Sequence, residues 1–320
     1  MSDTVASLRR KIASAGELES VVRTMKAMAA SSIGQYENAV RSLDDYYRTV
    51  QLGLSACFRY TAQAGFKGAD LTDTEPKVAG AVGAVVFGSD QGLVGQFNEV
   101  MAEFVVDALG KMPGEKTIWT VGERIQSRLA DTDMQQGARF VLPNSISAIT
   151  QLVGKILLEI EKYREQNGIG QIYLFHHRPH SGAIYTPVSQ RLLPLDETWR
   201  RYLAAIRWPT NNLPEVMNNR DKTSSALVRE YFFVSLFRAC AESLASENAS
   251  RLAAMQRAEK NIGELLENLN QTSRRLRQSS IDEELFDVVS GFEALSAAAH
   301  NGETPSGVTD QQNQDDKLAG

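Results

Sequence analysis

The stretch GSDQGLVGQFN (88–98) follows a short apolar run and opens an amphipathic pattern, where a glycine-rich phosphate loop would stand. Its spacing fits neither GxGxxG nor GxxxxGK(S/T), and no lysine is placed to reach a phosphate. A tight strand-to-helix turn is the reading, against nucleotide binding. His176 and His177 close another apolar run, with His180 nearby. Zinc would need further ligands at a supporting spacing, so solvated or hydrogen-bonded histidines are expected. Asp90 has no nucleophile or base partner in the sequence, and no catalytic constellation is assigned. Cys57 and Cys240 lack a CxxC or His-rich context and read as buried thiols of a reducing compartment.

A different constellation lies in SRRLRQSSIDEELFDVVSGFEAL (273–295). Arg274, Arg275 and Arg277 cluster on a helical stretch and are followed at once by Asp282, Glu283 and Glu284. On a solvated face, i,i+4 pairing among them is worth about 0.2–0.5 kcal/mol per pair. Yet Gln278, Ser279 and Ser280 stand where a coiled coil would place apolar residues, which suits contact with a polar partner. Both readings stand on the residues alone. VVRTMKAMAASS (21–32) raises a related question: two long cations and two methionines on a helix that is otherwise slim all round.

The elements that must position these residues follow from pattern. With 320 residues, 42% hydrophobic, 23% charged and net charge -5, the chain has room for two domains, and its weak acidity argues against nucleic acid as the main partner. No apolar run approaches the roughly 20 residues of a membrane span. The N-terminus shows no signal-peptide core, and Glu17 and Glu19 oppose a transit peptide. From Thr4 to Leu54 there is no proline, and Leu8, Ala15, Val22, Ala29, Tyr36, Leu43 and Val50 form an unbroken seven-residue row. A second row (Val5, Ile12; Leu18, Met25; Ile33, Val40, Tyr47, Leu54) slips in phase between its groups.

Runs at 80–88, 116–122, 138–143 and 171–177 read as strands, separated by helical patterns at 96–111, 122–130 and 145–166. This alternation implies a parallel sheet covered on both faces. The run 183–195 reads as an edge strand, because Pro187 cannot donate to a ladder. From about Glu215 to Ala297 a second long helix carries Val234, Ala241, Asn248, Met255, Ile262, Leu269 and Leu276 in a heptad row. Some 80 helical residues would span about 120 Å, so this helix is expected to project and to pair antiparallel with the first. The polar tail from His300 is expected to be disordered.

At this point a resemblance enters. Residues 247–291 are similar to the C-terminal helix of the rotary F-type ATP synthase gamma subunit, through Glu247, Ala249, Arg251, Ala254, Met255, Asn261, Arg277, Gln278, Ile281, Glu284, Leu285, Val289, Ser290 and Gly291. LRRKIASAGELESVVRTMKAMAASS resembles that family's opening helix, with Met25 at its methionine, and GSDQGLVGQFN resembles its Ser-Asp-Arg-Gly-Leu-Cys-Gly-x-x-Asn. Gln91 and Val94 replace the usual arginine and cysteine, Thr24 and Ala27 break the Lys-Ala-Met-Lys-Met pattern, and Arg274 stands where asparagine is common. Residues 196–214 depart most, and the chain continues past the family's usual end. The departures imply a divergent branch, with the alternative, sodium-associated synthases as one candidate; the ion is not carried by this subunit.

The resemblance implies an α/β fold class: a long antiparallel coiled coil of N- and C-terminal helices with an inserted Rossmann-like α/β domain. The expected segments are 1–58 (helix), 59–77 (linker), 78–208 (α/β domain), 209–297 (helix) and 298–320 (disordered tail). It implies a non-catalytic rotor shaft without a cofactor, turning in a ring of alpha and beta subunits and resting with epsilon on a membrane ring of c subunits. A slim helix would turn freely in such a bore. Met25, Arg277 and Gln278 are expected to face alpha and beta. Trp199, Arg201, Tyr202 and Trp208 are expected to meet the rotor ring or epsilon, since aromatics with arginine are typical of interfaces; packing the domain against the coil is the competing role. The implied place is the cytoplasmic face of a bacterial cell membrane. The rivals are a nucleotide- or cofactor-binding enzyme with helical arms and a homodimeric coiled-coil tether.

Overall fold

Free of proline and apolar at heptad intervals, the N-terminal sequence folds as one helix, α1 (Val5–Ala64). In this computed structural model the described residues are 4–64, 81–167, 170–180, 184–195, 197–212, 215 and 220–301. Most of the expected linker and the expected tail from residue 302 onward therefore lie outside them. The other elements are β1 (Val82–Phe87), α2 (Phe97–Gly110), β2 (Lys116–Val121), α3 (Glu123–Leu129), β3 (Gln135–Phe140), α4 (Ile146–Asn167), β4 (Gln171–His180), β5 (Ile184–Leu193), α5 (Glu197–Ala205) and α6 (Arg220–Asn301). The chain divides into two compact units, one of residues 20–261 and the other of residues up to 19 with those from 262.

In the larger unit α1 and α6 run antiparallel. Lys26 meets Glu259, Asp44 meets Arg238, the Tyr47 ring meets Tyr231, and Gly53 faces Leu227, so numbers rise on one helix as they fall on the other. The first heptad row supplies the seam: Ala29, Tyr36 and Val50 are buried here, with Val22 and Leu43 half-buried. In the smaller unit Leu8 and Ala15 continue that row, and Ser273 of α6 is buried with them. Leu18, at the phase slip of the second row, is exposed.

The sheet has the order β3-β2-β1-β4-β5, parallel except for the last pair. Central β1 is buried along its whole length, as a strand covered on both faces must be. On one face Val82, Ala84 and Val86 pack with Met101, Val105 and Leu109 of α2 and Ile125 and Leu129 of α3. On the other, Val85, Phe87, Trp119 and Val121 share a core with Ile149, Val153 and Ile156 of α4 and with side chains of α1, α5 and α6. Each large apolar side chain so buried contributes about 1.5–3 kcal/mol. β5 is the antiparallel edge, with Pro187 opposite His177.

β3 lies three residues before its expected place. Gly137 lets the strand approach β2 so closely that a Cβ there would stand 2.7 Å from Trp119 Cδ1, and the register skips a residue between Ile118 and Thr120. The apolar Val141 that suggested a later strand is exposed beyond its end. Helix α5 was not expected from pattern; α6 is described from Arg220, and the expected start near Glu215 adjoins residues 216–219, which lie outside the described residues.

Candidate partner-binding surfaces

The loop after β1 is a structural stitch. Ser89 N donates to Asn98 Oδ1 (2.9 Å), Asn98 Nδ2 to Ser89 Oγ (2.8 Å), and Ser89 Oγ to Gln91 O (2.8 Å). Asp90 accepts from the backbone of Glu123 and Leu142, both at 2.9 Å, tying β1 to the starts of α3 and of the β3–α4 connection. Gly122, at φ 118°, brings its backbone so near Ser89 that a Cβ would sit 2.8 Å from Ser89 O. Ser250 Oγ of α6 donates to Val94 O and stands 3.1 Å from Tyr185 OH. In an open α/β sheet the ligand crevice lies where strand order reverses, here at the carboxyl ends of β1 and β4. In this fold the side chains of Phe97, His177 and Tyr185 stack there, against α6.

The two histidines are buried and hydrogen-bonded. His176 Nε2 lies 2.8 Å from Glu242 Oε2, and His177 Nε2 is 2.8 Å from Phe97 O. Neither Nδ1 has a partner, so each neutral ring donates through Nε2. Burial lowers His176 against the opposing pull of Glu242, and lowers His177 to about 4. Glu242 also accepts from Arg178 Nε (3.1 Å) and Arg238 Nε (2.8 Å), and Arg238 Nη1 is 3.0 Å from Asp44 Oδ1. Burial alone would raise the Glu242 carboxyl; these donors outweigh it and hold it down at about 2. Four residues on, Ser246 Oγ lies 2.8 Å from Glu242 O and 3.3 Å from His177 O. Next along α6, Glu247 pairs with Arg251 at 2.6 Å, both largely buried. Cys57 and Cys240 are buried. Among the described residues no group of three or more His, Cys, Asp or Glu could hold a metal ion.

The outward-facing candidates fall on different elements. In the larger unit, Met25 is half-buried beside the Lys26–Glu259 pair (2.5 Å), while Thr24, Ala27 and Met28 are exposed. On α5, Trp199 and Leu203 turn inward. The Trp199 ring meets Phe58 at 5.7 Å and Tyr231 at 5.1 Å, and its Nε1 donates to Tyr231 OH at 3.3 Å. Arg201 and Tyr202 are exposed; Trp208 is half-buried, its Nε1 donating to Thr210 Oγ1 at 3.0 Å.

In the smaller unit Arg277 and Gln278 are exposed, and so is every residue from there to Ser296. Within that span Ile281, Leu285, Val288, Phe292 and Leu295 repeat at spacings of four and three, flanked by Phe286 and Val289. Phe286 is 72% and Phe292 74% exposed. A heptad seam of this kind normally faces another helix or a protein wall. Sequence reasoning singled out the polar residues before it and missed the seam itself. Its signal, the 4-3-4-3 spacing, was present beyond Leu276.

With this geometry in view, comparisons with known proteins agree among themselves. A family model described as ATP synthase matches residues 4–295. The ATP synthase gamma chain of Pasteurella multocida (strain Pm70) is 27% identical over 294 residues, covering 90% of this chain and 98% of that one. That of Arthrobacter sp. (strain FB24) is 27% identical over 305 residues, covering 93% and 100%. Among solved structures, the rotor of the Euglena gracilis mitochondrial ATP synthase in rotational state 1 aligns with TM-score 0.58 at 18% identity, over 87% of this chain and 98% of that chain. The central stalk and c-ring structure of the Tetrahymena thermophila mitochondrial enzyme gives 0.53 at 21%, over 74% and 99%. At these identities the structural likeness is one of fold.

Proposed function

The chain belongs to the ATP synthase family, and from that premise we infer that it is a gamma chain, the central rotor stalk that couples rotation to ATP synthesis or hydrolysis. It is a non-catalytic subunit. The observation that carries this reading is the exposed apolar seam of α6 beyond Arg277, a helix built to be surrounded. A shaft of this kind works by making different contacts with otherwise identical neighbours, so that each is biased toward a different conformation.

The proposed partners of the smaller unit are the alpha and beta subunits, met by the seam and by Arg277 and Gln278. In the larger unit Met25, beside the exposed small residues of α1, is proposed to face the same ring. Arg201, Tyr202 and Trp208 are proposed to meet epsilon or the rotor ring of c subunits, with Trp199 holding α5 in place to present them. No helix among the described residues is long and apolar enough to cross a membrane. The proposed place is the cytoplasmic face of a bacterial cell membrane, reached through these partners, in a proton- or sodium-translocating complex.

The rival enzyme reading loses its site, because the crevice at the strand switch is filled by side chains packed against α6. The tether reading needs helices that pair between chains, whereas α1 and α6 pair within one. Replacing Arg277 and Gln278 together by alanine is expected to impair coupled ATP turnover in the assembled complex while leaving the circular dichroism of the free chain unchanged. Normal coupled activity in that double variant would sink their assignment.

A further inference from the structure

The sheet is fastened to both long helices through one buried carboxylate. Glu242 stands on α6 with its side chain 4% exposed. From β4 it receives His176 Nε2 and Arg178 Nε on Oε2, and from its own helix Arg238 Nε on Oε1. Arg238 extends the link to Asp44 of α1, with its guanidinium 5.7 Å from the centre of the Tyr47 ring. The next turn adds Ser246, whose hydroxyl lies within reach of His177 O, while His177 grips Phe97 O at the start of α2.

Apolar contacts between a sheet and a helix tolerate small sliding, since they have no preferred direction. Hydrogen bonds to an ionised group do have one, and a buried carboxylate that loses its donors is left uncompensated. A network with donors arriving from two elements and anchored to a third therefore resists relative twist much more than the surrounding side chains do.

We propose that Glu242 is the torsional joint of the stalk: a positioning residue that locks the α/β domain to the α1–α6 pair so that rotation of one is delivered to the other. The proposal rests on the central-stalk reading. Without the joint, the domain and the helices remain packed but yield under torque, and ATP is consumed without matching ion movement.

The test uses the full complex in vesicles, reading ATP hydrolysis and ATP-driven ion pumping on the same preparation. Glu242→Ala is expected to keep hydrolysis within about twofold of wild type while ions pumped per ATP fall about two- to thirtyfold, the range of a lost coupling contact. Glu242→Asp keeps the charge and should recover part of the ratio. A merely structural role would lower the yield of complex and leave ions per ATP unchanged. Should Glu242→Ala fail to assemble, Glu242→Gln and Arg178→Gln are read instead; Arg178 is half exposed, so its loss spares the fold. An unchanged ratio in every assembled variant overturns the joint. Failure of the wild-type chain to assemble with alpha and beta subunits overturns the stalk reading, and the joint falls with it for that separate reason.

Discussion

At the scale of single residues, the side chains that looked most chemical turn out to hold the fold. His176 and His177 were expected to be solvated or hydrogen-bonded; the structure buries and hydrogen-bonds both, a depth the sequence did not show because their partners lie 66 and 80 positions away in the chain. Asp90, prominent in the family-like loop, spends both carboxylate oxygens on backbone donors, and the Ser89 hydroxyl beside it donates to Gln91 O and accepts from Asn98 Nδ2. This has a consequence for acid stability. His177 titrates near 4 when folded, against the ordinary 6.5, so below pH 6.5 the unfolded chain takes up a proton that the folded chain refuses. The stability this represents, about 3 kcal/mol, is present above pH 6.5 and is lost as pH falls toward 4. His176 acts in the same sense, whereas burial raises Glu247 and opposes them. Glu242, held at about 2, adds stability that is fully present above pH 4.5 and is lost progressively as pH falls from there through 2. Thermal melts of His177→Gln, whose amide can still donate to Phe97 O, should show a shallower loss of stability between pH 6.5 and 4 than wild type. An identical slope would show that His177 does not carry this term.

Elements were the most legible scale where period was strong and the least where packing decides. α2, α3 and α4 fall within two residues of their sequence expectations because an amphipathic helix announces its period. β3 was misplaced because an edge strand needs no buried alternation, and its register depends on Gly137 sitting against Trp119. α5 escaped notice because only Trp199 and Leu203 mark its inner face, too few to show a period. The two faces of α5 should separate in experiment. Trp199→Ala is expected to destabilise the chain by about 2–4 kcal/mol. Tyr202→Ala should change its stability by no more than about 0.5 kcal/mol. The exposed end of α6 invites a complementary measurement. Replacing Leu285, Val289 and Phe292 with glutamine should leave the melting temperature of the isolated chain nearly unchanged, since all three are already in water. Co-purification with alpha and beta subunits should drop at least about tenfold, a loss of roughly 1.4 kcal/mol or more. Undiminished assembly would count against the seam as the enclosed surface.

Across the whole molecule, helix–α/β–helix order, parallel sheet and antiparallel pairing were readable from where period and proline change along the sequence. The filling of the strand-switch crevice was not, because it depends on a serine of α6 meeting a carbonyl 156 residues earlier. That filling makes a simple prediction. In equilibrium dialysis, the isolated chain should retain neither ATP nor NAD above background at micromolar protein. Tight binding of either would reopen the enzyme reading.

The seam of α6 also bears on how much of this chain a cell can tolerate. Seven large apolar side chains between Ile281 and Leu295 stand in water on the free polypeptide. Such a surface binds whatever apolar partner arrives first, including another copy or a chaperone. An orphan subunit is thus its own degradation signal, and synthesis in excess of its ring partners would be corrected by proteolysis rather than stored. Supply matched to those partners becomes a requirement written into the last turns of one helix.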